Sequence, residues 1–151
     1  MSTNEQSIVI VQGRADSLTQ TVEVGPHRLL SDEPVALGGG DQGPDPYELL
    51  LASLGSCTSM TLALYARRKQ WPLEAVTVRL RHAKIHASDC MDCETKQGKI
   101  DLIEREIELS GPLTAEQRTA LLAIADRCPV HRSLTSSEIS IKTQLVEKDG
   151  P

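Results

Sequence analysis

Four cysteines carry most of the chemistry open to this chain. A thiolate is both a strong nucleophile and a soft metal ligand, so its surroundings decide between catalysis, metal binding and inert packing. Cys57 lies in an apolar, helix-forming run from Leu49 to Leu62, and Cys128 in the segment Ala125-Asp126-Arg127-Cys128-Pro129-Val130-His131. Cys90 and Cys93 form a separate C-x-x-C pair. By spacing, Cys90 and Cys93 with Cys128 and His131 are two ligand pairs of a Cys3His zinc centre, which would make a non-enzymatic zinc-binding or interaction domain. That set leaves Cys57 out, and a free cysteine on an apolar helix also reads as a small core residue. Cys128 closes a helical pattern, where the negative end of the helix dipole raises a thiol pKa. Activation there needs a cation such as Arg127, His131 or Arg132.

The elements that must hold these thiols follow from pattern. Residues 8–12, 19–24 and 28–31 read as strands, and 32–44 as a glycine-rich loop without the G-K-[ST] of a phosphate cradle. Asp45, Pro46 and Glu48 supply an N-cap, a first-turn proline and a capping-box carboxylate for a helix running to about Lys69, with Gly55 as a kink point. Apolar or small residues fill almost every position of that helix, which predicts burial on most sides and, in so short a chain, a homodimer interface to supply the cover. Strands follow at 76–84 and 99–109, flanking a turn-rich segment with Cys90 and Cys93. His82 and His86 read as surface residues. Thr114 to Gln117 is a second capping box, opening a helix to about Arg127, and alternation over 139–146 predicts a last strand. Strands and helices grouped in this way predict an α+β fold with antiparallel pairing.

At 151 residues the chain is expected to be one domain, 1–151, with frayed tails at about 1–6 and 148–151. One Trp, two Tyr and no Phe leave little for base stacking, and a net charge of -5 disfavours a phosphate backbone, so nucleic acid is not an expected partner. The first residues have neither a basic nor an apolar signal segment, and no uninterrupted run approaches the roughly 18 apolar residues that span a bilayer. A cytoplasmic protein without a membrane partner is the expectation. In that compartment thiols point to catalysis, redox chemistry or metal binding more than to a disulfide framework.

Three segments together resemble the OsmC/Ohr family (osmotically inducible protein C and organic hydroperoxide resistance protein), in its OsmC-like branch. They are Gly43-Pro44 with Pro46-Tyr47-Glu48-Leu49-Leu50, Ala52-Ser53-Leu54-Gly55-Ser56-Cys57-Thr58, and Cys128-Pro129-Val130-His131. The resemblance runs from about Thr19 to the last strand. It implies an α+β fold with an antiparallel sheet and a long buried central helix, in an intertwined homodimer with active sites at the subunit interface. It further implies a thiol-dependent peroxidase in which Cys57 attacks an organic hydroperoxide and becomes a sulfenic acid. Cys128 then condenses with it to a disulfide, which a dithiol reductant, lipoyl-linked in the Ohr branch, reopens. No metal or other cofactor is required. Glu48 matches the family's glutamate, whose arginine partner resembles Arg14 in Gly13-Arg14 more than Arg28. A carboxylate alone would raise the thiol pKa, so the arginine is chemically necessary. The Cys90/Cys93 pair departs from the family pattern and reads as a surface-loop feature. A fold that binds a small apolar ligand without turnover is a further reading.

Overall fold

The structure, a computed structural model, describes residues 6–136 and 138–148, so most of both expected tails lies outside the described residues. The order is β1 (Val9–Gly13), β2 (Gln20–Val24), β3 (His27–Ser31), α1 (Pro46–Lys69), β4 (Ala75–His86), β5 (Lys99–Ser110), α2 (Ala115–Ala125) and α3 (Pro129–Thr135). The fold is α+β with antiparallel pairing, as the grouping of strands and helices predicts. Two compact units share it. One comprises the chain up to Ser53 with Leu80–Glu104, the other Leu54–Arg79 with the chain from Arg105 onward, and α1, β4 and β5 contribute residues to both.

In the first unit β1, β2 and β3 form an antiparallel meander, with Val11 opposite Val22 and Val22 opposite Leu29. The glycine-rich loop after β3 is organised by an internal anion. The buried Asp32 carboxylate accepts the Thr19 hydroxyl at 2.8 Å and the backbone N–H groups of Glu33, Gly40 and Gln42 at 2.8, 3.1 and 3.2 Å. Burial pushes that carboxyl pKa up, but these four donors outweigh it and the net shift is down. The loop is tight as well, since a Cβ on Gly39 would strike the Glu33 carbonyl. Its amides are thus directed at the chain's own carboxylate. His82, expected at the surface, is enclosed instead: Tyr47 stacks on it at 4.3 Å and Asp101 meets its Nε2 at 2.7 Å.

α1 starts as its sequence dictates, with Asp45 Oδ1 accepting from the Glu48 N–H and Glu48 Oε2 accepting from the Asp45 N–H, both at 2.8 Å. Its helical backbone continues without a break through Gly55. An 18-residue window of its 24 residues reaches a mean hydropathy of 1.5, long and apolar enough by length and composition to cross a membrane. The sequence expectation missed this by counting uninterrupted apolar residues, whereas scattered Ser and Thr barely lower a helix's hydropathy. Leu54, Thr58, Leu62 and Ala66, spaced by four, form its one buried stripe, the pattern of a core helix in a globular domain. Other positions stay open in the single chain, with Met60 63% and Leu64 54% exposed.

The second unit's core gathers Leu62 and Ala66 of α1 with Leu121, Ile124 and Ala125, flanked by Tyr65, Trp71, Val76 and Ile107. Leu62 and Leu121 are fully buried, each contributing about 1.5–3 kcal/mol. Thr114 and Gln117 close the capping box that opens α2. The last strand does not form: residues 138–148 carry no regular structure and join neither sheet. Alternation states which face a strand would bury, but a ladder also needs a partner, and these residues pair with no strand among the described residues.

Candidate thiol site

Pro129 decides where Cys128 sits. It has no N–H to continue the ladder of α2, it drives the preceding residue toward extended backbone, and its fixed φ suits a first helical position. Cys128 accordingly has φ -57° and ψ 132° and becomes the N-cap of α3. This corrects the expectation that a helix C-terminus raises its pKa. The Cys128 Sγ accepts the His131 N–H at 3.4 Å, at the positive end of a new helix. The same Asp-Pro logic that located the start of α1 would have found this cap in Cys128-Pro129.

The structure brings Cys57 and Cys128 together within the second unit, close enough for each thiol to shift the other's pKa. Cys57 is half-buried, while Cys128 is 0% exposed. Burial raises the Cys57 pKa first, and its bond to Cys128 raises it further, against weaker help from the Val130 N–H and the Thr61 hydroxyl. Burial also pushes the Cys128 pKa up, but bonds from Cys57, the His131 N–H, the Thr58 hydroxyl and the Val130 N–H outweigh it, and the net shift is down. When the pair gives up a proton, these opposite directions favour the negative charge on the inner sulfur.

Thr58 connects this pair to a cation that sequence reasoning missed. Its hydroxyl accepts from Arg105 Nη1 at 3.0 Å, and Arg105 Nη2 reaches Asp126 Oδ1 at 2.9 Å. The Arg105 side chain is 12% exposed. Asp126 lies 3.9 Å from His131 Nε2. The Thr58 hydroxyl itself donates to the Leu54 carbonyl at 2.7 Å, and its place near Cys128 helps to hold that thiol pKa down. Arg105 was unreadable in sequence because alternation marks it only as one more polar position on a strand.

The other expected site residues belong to the first unit. Glu48 serves the α1 cap, and Arg14 is held by Asp16 through two bonds of 2.9 Å. Arg28 is exposed on β3, opposite Glu23. Cys90 and Cys93 are bonded to one another as a disulfide. Of the zinc set, Cys90 and Cys93 are joined to each other in the first unit, while Cys128 and His131 belong to the second, where Cys128 stands beside Cys57.

A family model described as OsmC, OsmC-like protein, matches residues 38–144. No curated protein matches the chain. Among solved structures, an OsmC-like protein from Mycoplasma pneumoniae aligns with TM-score 0.69 and 18% identity, covering 89% of this chain and 90% of that one. An organic hydroperoxide resistance protein OsmC from Legionella pneumophila aligns with TM-score 0.64 and 19% identity over 89% and 93%. An organic hydroperoxide resistance protein from Elizabethkingia anophelis aligns with TM-score 0.63 and 18% identity over 90% and 92%. At these identities the structures speak for the fold.

Proposed function

Because the chain belongs to the OsmC-like protein family, we propose that it is a cysteine-based reductase of organic hydroperoxides, with Cys57 as the attacking sulfur and Cys128 as the resolving one. The observation that carries this reading is the pair itself: a half-buried Cys57 beside a Cys128 closed off from solvent. Access separates the roles, since a peroxide can approach only the outer sulfur.

The inner sulfur supplies the base. The Cys57 S–H lies beside a Cys128 thiolate, and moving that proton across leaves Cys57 as the thiolate and Cys128 as the thiol. The Cys57 thiolate attacks the terminal oxygen of ROOH and the O–O bond breaks. The alkoxide leaves and takes the Cys128 thiol proton to become ROH, and Cys57 is left as a sulfenic acid. The Cys128 thiolate then attacks the Cys57 sulfur, the S–O bond breaks, and hydroxide departs, taking a proton from solvent to become water. The resulting disulfide is reopened by a dithiol, lipoyl-linked in the reading adopted here, which leaves as a cyclic disulfide. Contact between the two sulfurs keeps the sulfenic acid on the reversible rung of oxidation.

Arg105 is a positioning residue in this scheme, acting on Cys128 through Thr58. Glu48 and Arg14 are assigned to orienting the peroxide, with Arg28 as the alternative arginine. The assembly is a homodimer in the cytoplasm. The exposed Met60 and Leu64 of α1 and the unpaired Ile139, Ile141 and Leu145 support a second copy as their cover.

The test is to treat reduced protein with one equivalent of cumene hydroperoxide and map disulfides by mass spectrometry. A new Cys57–Cys128 link with one equivalent of cumyl alcohol is expected. Full peroxide consumption by a Cys57→Ser variant would sink the proposal, and sedimentation as a monomer would sink the dimer.

A further inference from the structure

The Cys90–Cys93 disulfide is not used by the scheme above, and its setting is that of an exchange site more than of a staple. A disulfide stabilises a fold chiefly by shortening the loops of the unfolded chain, and the gain shrinks with the ring. Here the separation is three residues. The surrounding excursion, 87–98, is already closed at its neck by the Ala87 N–H on the Gly98 carbonyl at 2.8 Å. Inside it the Cys90 N–H reaches the Ala87 carbonyl at 3.2 Å, and the Lys96 ammonium holds the Cys90 carbonyl. Opening the S–S bond leaves every one of these contacts in place.

The two sulfurs are unequal. Cys90 is 6% exposed, whereas Cys93 is half-buried and Met91 beside it is fully open. Asp92 Oδ1 lies 3.5 Å from the Cys90 Sγ, within reach of an S–H donor. A carboxylate there favours the thiol of Cys90 over its thiolate, so Cys90 takes a proton when released and Cys93 is left as the nucleophile of the reduced pair.

We propose that Cys90 and Cys93 form a second thiol–disulfide exchange site, entered at Cys93, which takes dithiols that are uncharged or cationic. A dithiol's thiolate attacks the Cys93 sulfur, the Cys90–Cys93 bond breaks, and Cys90 leaves and is protonated. The dithiol's second sulfur then attacks the mixed disulfide and releases Cys93 as a thiol, while the reagent departs as its cyclic disulfide. Two electrons and two protons pass to the protein. The charge preference follows from the rim: Asp89, Asp92 and Glu94 stand on this loop against Lys96, which is occupied at the Cys90 carbonyl. The proposal does not depend on peroxide chemistry at Cys57.

The experiment uses the full chain equilibrated in buffers of reduced and oxidised dithiothreitol, quenched with iodoacetamide and read peptide by peptide. The Cys90/Cys93 peptide should pass reversibly between doubly alkylated and unlabelled in native protein, also in a Cys57→Ser background. After reduction, Cys93 should alkylate on the order of tenfold faster than Cys90. Neutral iodoacetamide should outpace anionic iodoacetate by a margin that added salt narrows. A Cys90→Ser variant should trap a mixed disulfide with 2-hydroxyethyl disulfide at Cys93. A pair that yields to dithiothreitol only after denaturation, or that never re-forms its disulfide, would overturn the site. Faster labelling of Cys90 would overturn the assigned entry point.

Discussion

The chain makes two cysteine pairs by opposite routes. Cys90 and Cys93 meet because only two residues of a turn separate them, in a loop whose neck is closed by a backbone hydrogen bond. Cys57 and Cys128 meet only because α1 packs on α2 through Leu62, Leu121 and Ile124 and because Pro129 turns the chain at the end of α2. The first pair is open to solvent on one sulfur with a carboxylate beside the other, and the second has one sulfur sealed and surrounded by donors. A local pair can exchange without disturbing the fold. A tertiary pair can hold a charge that the local pair cannot.

Four measurements would break or sharpen this contrast. Cys57→Ser should lower the peroxide consumption rate by about a thousandfold or more, since the other thiol of its unit, Cys128, is closed off from solvent, while the Cys90/Cys93 exchange is unchanged. A stopped-flow assay reads the first and native alkylation the second. Leu121→Ala should cost about 2–5 kcal/mol in denaturant unfolding, because it empties a fully buried position. It should slow Cys57–Cys128 closure while sparing Cys90–Cys93. Equal slowing of both would show that the two pairs are not separately supported.

Thr58→Val should cost about 1–3 kcal/mol, leaving Arg105 Nη1 without its Thr58 acceptor while Nη2 keeps Asp126, and should raise the Cys128 pKa by removing a group that lowers it. Thiolate absorbance against pH reads that direction. The same titration should show the wild-type pair ionising first at Cys128. Cys128→Ser should remove that early step and leave Cys57 ionising above the ordinary thiol range. A depressed folded pKa means that the Cys128 contribution to stability is present above its unfolded pKa and fades as pH falls through the folded one. The Cys57 shift has the opposite sign, so its contribution is lost as pH rises through its own folded pKa.

Local signals in the sequence were reliable where neighbours along the chain settle the outcome. Asp45 with Glu48, and Thr114 with Gln117, marked the starts of α1 and α2, because a cap is a contact three residues long. The strand alternation at β4 and β5 held for the same reason, and the cysteine motifs identified a thiol chemistry and a family. Burial was less legible. The composition of α1 predicts cover on most faces, yet this chain supplies one stripe of four residues.

What only the tertiary structure decided is the electrostatic setting of the thiols. Nothing near Cys128 in sequence states that Thr58 will stand near its sulfur, or that Arg105 will stand behind Thr58, since these contacts join an α-helix, a strand and a turn. The residues 138–148 show the converse, where a good strand pattern stays irregular and pairs with no strand among the described residues. Sequence determines the reactive groups and the local backbone around them, because those depend on adjacent residues. Which sulfur carries the charge depends on distant donors converging on it, and only packing brings them there.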